Sequence, residues 1–444
     1  MTTAAGDDTA APAQRLGTDH DPALLAELLA RQSVRTVYQP VVELYTGVVV
    51  GYEALSRGPQ GSALEQPDQL FAAARRSQQL AELDGHCQSA ALAGAHGAGL
   101  LAPWTLFINV EPDASAPRPL PLPSSGPAGA GRPMRVIVEL TERALTDRPA
   151  DLLRRVAAFR TAGWGIALDD VGADPASLAL LPLLRPDVIK LDLRLVQDKP
   201  DARIAQIVNA VNAEAERSGA VVLAEGIETE AHLAIAKSLG ATLGQGWLLG
   251  RPGPLPVSTR PASGRQVPAA VPIASHPVMP DGASPFELVA GSRAVRQATK
   301  SLLLEVSRHL ERQALSSSDS AVVLATFQNA DHLTTATVQR YAELAAKAAF
   351  VGVFGADIPA TPAPGVRGAD LAEGDVVLSE WDVAVVGPHF AGALVSRDLG
   401  DDGPELDRRF DYILTHDRTL AVHVAGSLMT RMHAEGGAAR AGQT

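Results

Sequence analysis

With 444 residues, 46% of them hydrophobic, the chain is long enough for two or three domains that each bury a core. No apolar run approaches the ~18 residues needed to cross a bilayer, so no membrane association is expected. The net charge of −12 argues against holding DNA or RNA through bulk charge, though not against a small anion held by a metal. Cys87 is the only cysteine, which rules out an internal disulfide and fits a reducing cytoplasm.

Residues 1–20 lack the basic and apolar regions of a signal peptide and are expected to form a disordered tail. Strand-like runs then alternate with amphipathic stretches: TVYQPVVEL, VVVGYEALS, TLFINVEP, RVIVELTE, GIALDDV, DVIKLDL, VVLAEGI and ATLGQGWLLG, in that order. Eight strands with helical connections predict an α/β fold, a (β/α)8 TIM-like barrel over residues 21–252. The first two strands are joined only by YTG, too short for a crossover, so that pair is predicted to be antiparallel. Where one barrel helix is due, residues 113–133 are rich in proline and glycine and read as a flexible loop. Residues 253–285 show no periodicity and read as a linker, 286–433 as a smaller C-terminal α/β domain, and 434–444 as a second disordered tail.

Polar groups recur where the barrel strands end. Glu53 ends the second, Asn109 the third, Glu139 and Glu142 the fourth, and Asp169 and Asp170 the fifth. Lys190 and Asp192 end the sixth, Glu225 and Glu228 the seventh, and Gln245 lies in the eighth. In such barrels the strand C-termini form the active-site mouth, so these groups should converge. Glu53, Asn109, Glu139 and Asp169 offer three carboxylates and a carbonyl oxygen, a hard donor set suited to Mg²⁺ or Mn²⁺. Asp170 beside Asp169 could serve a second ion, and two metals would activate a water and stabilise the leaving oxygen of a phosphodiester. Each group has a plainer reading. A lone strand-end acid is commonly a solvated charge, Asn109 could start a turn, the Asp pair could cap a helix, and so could Glu228. Their coincidence on successive strands is what chance does not supply. Lys190 adds to it, because only five lysines occur and this one ends an apolar strand. A buried ammonium can orient or deprotonate a water.

YEALSR, FINVEP, VELTE, LDDVGA, DVIKLD, AEGIETEAH and LGQGWLLGRP, in this order, resemble the EAL domain family. The resemblance covers about residues 33–252 and implies hydrolysis of cyclic-di-GMP to linear pGpG. It implies that Glu53, Asn109, Glu139 and Asp169 bind one metal, and that Asp169 and Asp170 serve a second. Lys190 would contact the nucleophilic water, and Glu225 would act as base or complete the metal site. Arg57 would reach a phosphate, Gln39 and Gln245 would line the pocket, and Glu142 would brace the loop after the fifth strand. That loop usually reads Phe-Gly-Thr-Gly-Tyr-Ser-Ser and here is VGADPAS, with Val171, Asp174 and Pro175 altered. The family uses the segment to position the Asp pair and to couple it to dimerisation, so a homodimer stays open.

Farther on, VVLATFQ, RYAELAAKAAFVGVFG, SEWDVAVVGPHFAGALVSRDL and DRRFDYILTHDRTL resemble a DICT domain, a sensory module for an unknown ligand or protein partner. Trp381, His389, Phe410, Tyr412, His416 and Asp417 could line a ligand pocket, or the aromatics could be core and THDR a helix cap. The leading expectation is a cytoplasmic, metal-dependent cyclic-di-GMP phosphodiesterase regulated by its C-terminal domain. A catalytically weak or inactive cyclic-di-GMP receptor is the alternative, supported by the altered loop. A scaffold without a nucleotide would leave the acidic cluster unexplained.

Overall fold

The computed structural model describes residues 21–111, 134–141, 148–173, 176–256, 269–274, 282–316, 321–402 and 404–432. Both expected tails, the Pro/Gly-rich stretch 113–133 and Glu142 lie outside the described residues. The barrel region runs α1 (Asp21–Ala30), β1 (Arg35–Glu43), β2 (Val49–Arg57), α2 (Pro67–Arg76), α3 (Leu80–Gly97), β3 (Thr105–Asn109) and β4 (Arg135–Thr141). It continues through α4 (Pro149–Thr161), β5 (Gly165–Val171), α5 (Ala176–Leu184), β6 (Val188–Leu191), α6 (Leu193–Gln197) and α7 (Ala202–Ser218). It ends with β7 (Val221–Ala224), α8 (Glu230–Ser238) and β8 (Leu243–Gly244). The eight strands close into a barrel in sequence order. β1 is antiparallel to both its neighbours, β2 and β8, as its short connection requires, and the remaining pairings are parallel.

Local chemistry sets the helix boundaries. The Asp201 carboxylate accepts from Ile204 N–H to start α7, and Gly219, at φ 76°, ends it in the left-handed region. The cap of α8 is Thr229, whose hydroxyl oxygen accepts from His232 N–H; Glu228, for which a cap was one reading, instead donates its backbone N–H to His232 Nδ1 at 3.3 Å. A threonine cap fits here because its short side chain reaches back to the first turn from extended backbone.

Residues 269–274 lie in the stretch expected as a bare linker, yet they are docked. Val271 is 3% exposed and joins the barrel's interior cluster, with Ile273 packed against it. Arg135 Nη2 donates to Val271 O at 2.5 Å, and Ala274 N–H donates to Asp187 Oδ1 at 2.6 Å. The segment thus covers the end of the barrel where β4 and β6 begin, opposite the polar strand ends. Burying the Val271 side chain is worth about 1.5–3 kcal/mol. A two-residue plug leaves no periodic signal, which is why composition alone reads as linker.

Beyond it come α9 (Pro285–Ala290), β9 (Arg296–Thr299), α10 (Lys300–Ser316), β10 (Val322–Asn329), α11 (Thr335–Ala345), β11 (Phe350–Ala356) and β12 (Val366–Asp370). β13 (Val383–Val386), β14 (Ala391–Asp398), β15 (Arg409–Thr415) and α12 (Arg418–Met429) complete the smaller α/β domain. Its seven-stranded sheet has the order β12-β11-β10-β13-β14-β15-β9. Alternation along β10 explains why both faces are covered. Val323 and Ala325 face Leu303 and Leu310 of α10 and Tyr341 of α11, while Val322 and Leu324 join the cluster containing α12. α12 also packs on α4 and α5 of the barrel, so one continuous apolar cluster spans both domains.

Candidate active site at the barrel mouth

Strand side chains alternate with a period of two, and the barrel interior uses that period to stack a polar layer on an apolar one. Phe107, Ile137, Ala167, Val188, Leu223 and Leu243 form one buried interior cluster with Val41. Two residues farther along the parallel strands stand Asn109, Glu139, Asp169, Lys190, Glu225 and Gln245. β1 runs the other way, so its polar partner is Gln39, two residues before Val41, and Gln39 lies opposite Glu53 of β2. The sequence-predicted groups therefore meet in one layer, because each strand changes from apolar to polar at the same height.

Lys190 occupies the centre of that layer and is 1% exposed. Its Nζ lies 2.9 Å from Glu139 Oε1, 2.9 Å from Asp169 Oδ1, 2.8 Å from Glu225 Oε1 and 3.9 Å from Glu53 Oε1. Burial would depress the ammonium, but the four surrounding carboxylates outweigh it and hold its pKa well above the ordinary value. The acids divide. Burial would raise Glu53, yet Lys190 and hydrogen bonds, including those from Gln245 and Asn109, hold it below the usual carboxylate value. Burial and the neighbouring Glu53 charge push Glu139 well up. Glu225 is pushed up to about 8, first by burial and despite Lys190.

Amides complete the ring. Asn109 Nδ2 donates to Glu53 Oε1 at 2.9 Å, and Gln245 Nε2 donates to Glu53 Oε2 at 2.6 Å and to Gln39 Oε1 at 3.1 Å. Gln245 is aimed by Gly246, whose φ is 154° and where a Cβ would stand 2.2 Å from Ile227 O; only glycine fits that approach. Glu139 Oε2 and Gln245 Oε1 are buried without a hydrogen-bond partner among the described residues. A buried polar atom left unpaired is costly, so both oxygens have room to accept a further partner, which an oxygen-binding cation could supply.

The fifth strand breaks the alternation. Its pairing with β6 shifts between Leu168 and Val171, and Asp170 has a φ of 58°, in the left-handed region. This bulge lets consecutive aspartates both serve the mouth, a re-aiming that regular pleating forbids. Oxygen atoms of Asp169, Asp170 and Glu225 can all lie within 4.8 Å of one another. Four acids, Glu53, Glu139, Asp169 and Glu225, surround one ammonium; Asp170 adds a fifth acid at the rim. That excess negative charge, the oxygen-rich donors and the unpaired Glu139 Oε2 fit a divalent metal.

A cavity of about 560 Å³ opens beside this cluster and is lined by Glu53, Asn109, Asp169, Asp170 and Arg57. The Arg57 guanidinium donates to Ser56 O at 2.8 Å and makes no ion pair among the described residues, leaving it able to meet an anion. Phe71 and Arg75 of α2 also line the cavity, and sequence reasoning missed them. Their spacing of four places them on one helical face, but amphipathic periodicity does not distinguish a mouth-lining face from ordinary core. Arg75 is held by Glu111, with Nη2 2.9 Å from Oε2. Asp192 stands apart from the cluster, capping α6 through Arg194 N–H.

In the C-terminal domain, Trp381 and Phe410 line a cavity of about 110 Å³ together with Phe327 and Tyr341. His389, Tyr412, His416 and Asp417 are not on its lining. His416 packs edge-on against Phe390, and Asp417 caps α12 by accepting from Leu420 N–H. His389 faces the barrel, 3.3 Å from Asn209 Nδ2.

Residues 23–252 match the family model of the EAL domain, and residues 288–399 match that of the sensory domain in diguanylate cyclases and two-component systems. A protein of Azorhizobium caulinodans is 35% identical over 229 residues, 48% of this chain and 30% of its own length. Cyclic di-GMP phosphodiesterase RocR of Pseudomonas aeruginosa is 31% identical over 222 residues, 49% of this chain and 57% of its own. The chain thus spans less than two thirds of either relative. Among solved structures, Klebsiella pneumoniae BlrP1 in a calcium/cyclic-di-GMP complex is 31% identical with a TM-score of 0.44, covering 50% of this chain and 56% of that one. Among the described residues no helix is long and apolar enough to cross a membrane.

Proposed function

We propose, from the premise that this chain belongs to the EAL domain family, that its barrel hydrolyses cyclic-di-GMP to linear pGpG and that its C-terminal domain regulates the reaction. The observation that carries this reading is the ring of acids around Lys190 beside a cavity holding Arg57. Glu53, Asn109, Glu139 and Asp169 would hold one divalent ion, Mg²⁺ or Mn²⁺, and Asp169 and Asp170 a second. When bound, such ions supply Lewis acidity to the phosphate and to the attacking water.

The chain's own groups do the rest. The Arg57 guanidinium binds a phosphate of the substrate. Lys190, fixed by three carboxylates, would contact the attacking water and offsets part of the acids' negative charge. Glu225 Oε1 lies 2.8 Å from Lys190 Nζ, and its side chain is 22% exposed toward the mouth, where it can take the water's proton. The new P–O bond forms as the bond to the ribose 3′ oxygen breaks, and that oxygen takes up a proton, leaving pGpG. Glu142 would brace the loop after β5.

The test is incubation of the purified chain with cyclic-di-GMP and Mg²⁺ or Mn²⁺, with products separated by chromatography. pGpG should appear, vanish on chelation and return when the cation is restored. Nucleotide that binds yet stays intact under every cation would instead favour the non-hydrolysing receptor, the reading supported by the altered residues Val171, Asp174 and Pro175. Arg57→Ala should raise KM about tenfold with kcat little changed, if its contact is made equally in ground and transition states. An unchanged KM would remove Arg57 from the substrate site.

A further inference from the structure

The two domains meet across a cavity of about 390 Å³, far from the acidic mouth in chemistry. Its lining brings together Arg185, just after α5, Arg217 at the end of α7, and Arg418 at the start of α12. Among the described residues Glu214 is the one acid on that lining, so three guanidiniums face one carboxylate and two positive charges are in excess. In a chain of net charge −12, this is a local reversal of sign.

Glu214 is already committed. Its Oε2 accepts from Arg217 Nη2 at 2.9 Å and lies 3.6 Å from Arg418 Nη2. Arg217 Nη2 also donates to Pro388 O at 3.0 Å, and Arg418 Nη1 donates to Gly387 O at 2.8 Å, so both arginines grip the same turn. The donors are only partly spent. Arg418 Nη2 is buried and, beyond its 3.6 Å ion pair with Glu214, has no hydrogen-bond partner among the described residues. Arg185 is half-buried, and its guanidinium makes no hydrogen bond or ion pair with the described residues; Glu214 acts on it only from longer range. Burial and the charge of Arg217 both weaken the protonation of Arg418, as expected for a crowded cationic site.

We propose that this interdomain cleft binds a phosphate-bearing anion, held by Arg185, Arg217 and Arg418. A dianionic phosphomonoester or free phosphate matches the excess of two charges. The planar donor forks of guanidinium suit phosphate oxygens better than a point charge would. The volume exceeds that of a phosphate group and lies in the range of pockets for small organic ligands, so a mononucleotide also fits. Occupancy would tie α12 of the C-terminal domain to α5, the helix that follows the Asp169–Asp170 strand. The site therefore gives a ligand a physical route to the barrel mouth. The binding claim stands apart from the phosphodiesterase reading, since none of these arginines belongs to the mouth.

The test is calorimetric titration of the metal-free full chain with inorganic phosphate and, separately, with GMP at low ionic strength. Saturable binding should be weakened at least tenfold in Arg185→Gln and in Arg418→Gln and left unchanged in Glu225→Gln at the mouth. Tighter binding of GMP marks a nucleotide ligand, and equal affinity marks the phosphate group alone; both support the site. Arg185 has no hydrogen bond or ion pair to lose among the described residues, so Arg185→Gln should melt close to the wild-type temperature without anion, and addition of phosphate should raise the melting temperature of wild type alone. Absence of saturable binding of either probe, equal binding in both arginine variants, or loss of binding in Glu225→Gln would overturn the proposal.

Discussion

Lys190→Met is expected to lower kcat about 10³-fold or more and to destabilise the metal-free barrel by about 3–5 kcal/mol, because removing one partner of a buried ion cluster leaves uncompensated charge. Methionine fills nearly the same space, so cavity formation is not the cause. Lys190 is 1% exposed, and its ammonium is the cation that lies within 4 Å of Glu53, Glu139, Asp169 and Glu225 together. Without it, several acids must be protonated or repel one another. Denaturant unfolding in the absence of metal measures the loss. Added Mn²⁺ should recover part of it, about 2.7 kcal/mol at a hundredfold excess over its dissociation constant. A variant as stable as wild type without metal would show that the acids do not bear on one another as their distances imply.

Glu53→Gln should abolish detectable pGpG formation, a loss of about 10³-fold or more, while leaving the fold intact. The substitution is nearly isosteric, but the new amide cannot accept from both Asn109 Nδ2 and Gln245 Nε2 as the carboxylate does at 2.9 and 2.6 Å. It also removes a negative donor from a buried part of the proposed metal site, where Glu53 is 6% exposed. Mn²⁺ affinity, measured by calorimetry beside turnover, should fall at least tenfold. Retained turnover with unchanged Mn²⁺ affinity would remove Glu53 from the metal and with it the proposed division of ligands.

Much of the barrel was legible because its signals are local. A three-residue link cannot cross over, so β1 and β2 had to be antiparallel. Apolar strands that each change to a polar residue near their C-termini declare a mouth, since a carboxylate inside an apolar strand is costly anywhere else. Glu53, Asn109, Glu139, Asp169, Lys190, Glu225 and Gln245 could be picked out for that reason. In the C-terminal domain the same reasoning was weaker. Trp381 and Phe410 do share a cavity, but His389, Tyr412, His416 and Asp417 are spread over other surroundings, because aromatic and histidine content does not say which face of a sheet a residue occupies.

The sequence by itself determined the strand order of the barrel, the height of its polar layer and the residue types that populate it, since these follow from period-two alternation and connection length. Only the tertiary structure decided that Lys190 sits at equal reach of Glu139, Asp169 and Glu225, because those distances depend on the stagger of strands around a closed barrel. It alone showed the bulge and the left-handed backbone at Asp170 that let both consecutive aspartates serve the mouth, since strand pattern does not say where a register shift falls. It alone docked Val271 under the barrel and gathered Arg185, Arg217 and Arg418 from three helical regions into one cleft. Packing between domains is set by side chains far apart in the chain, and neighbours in sequence carry no record of it.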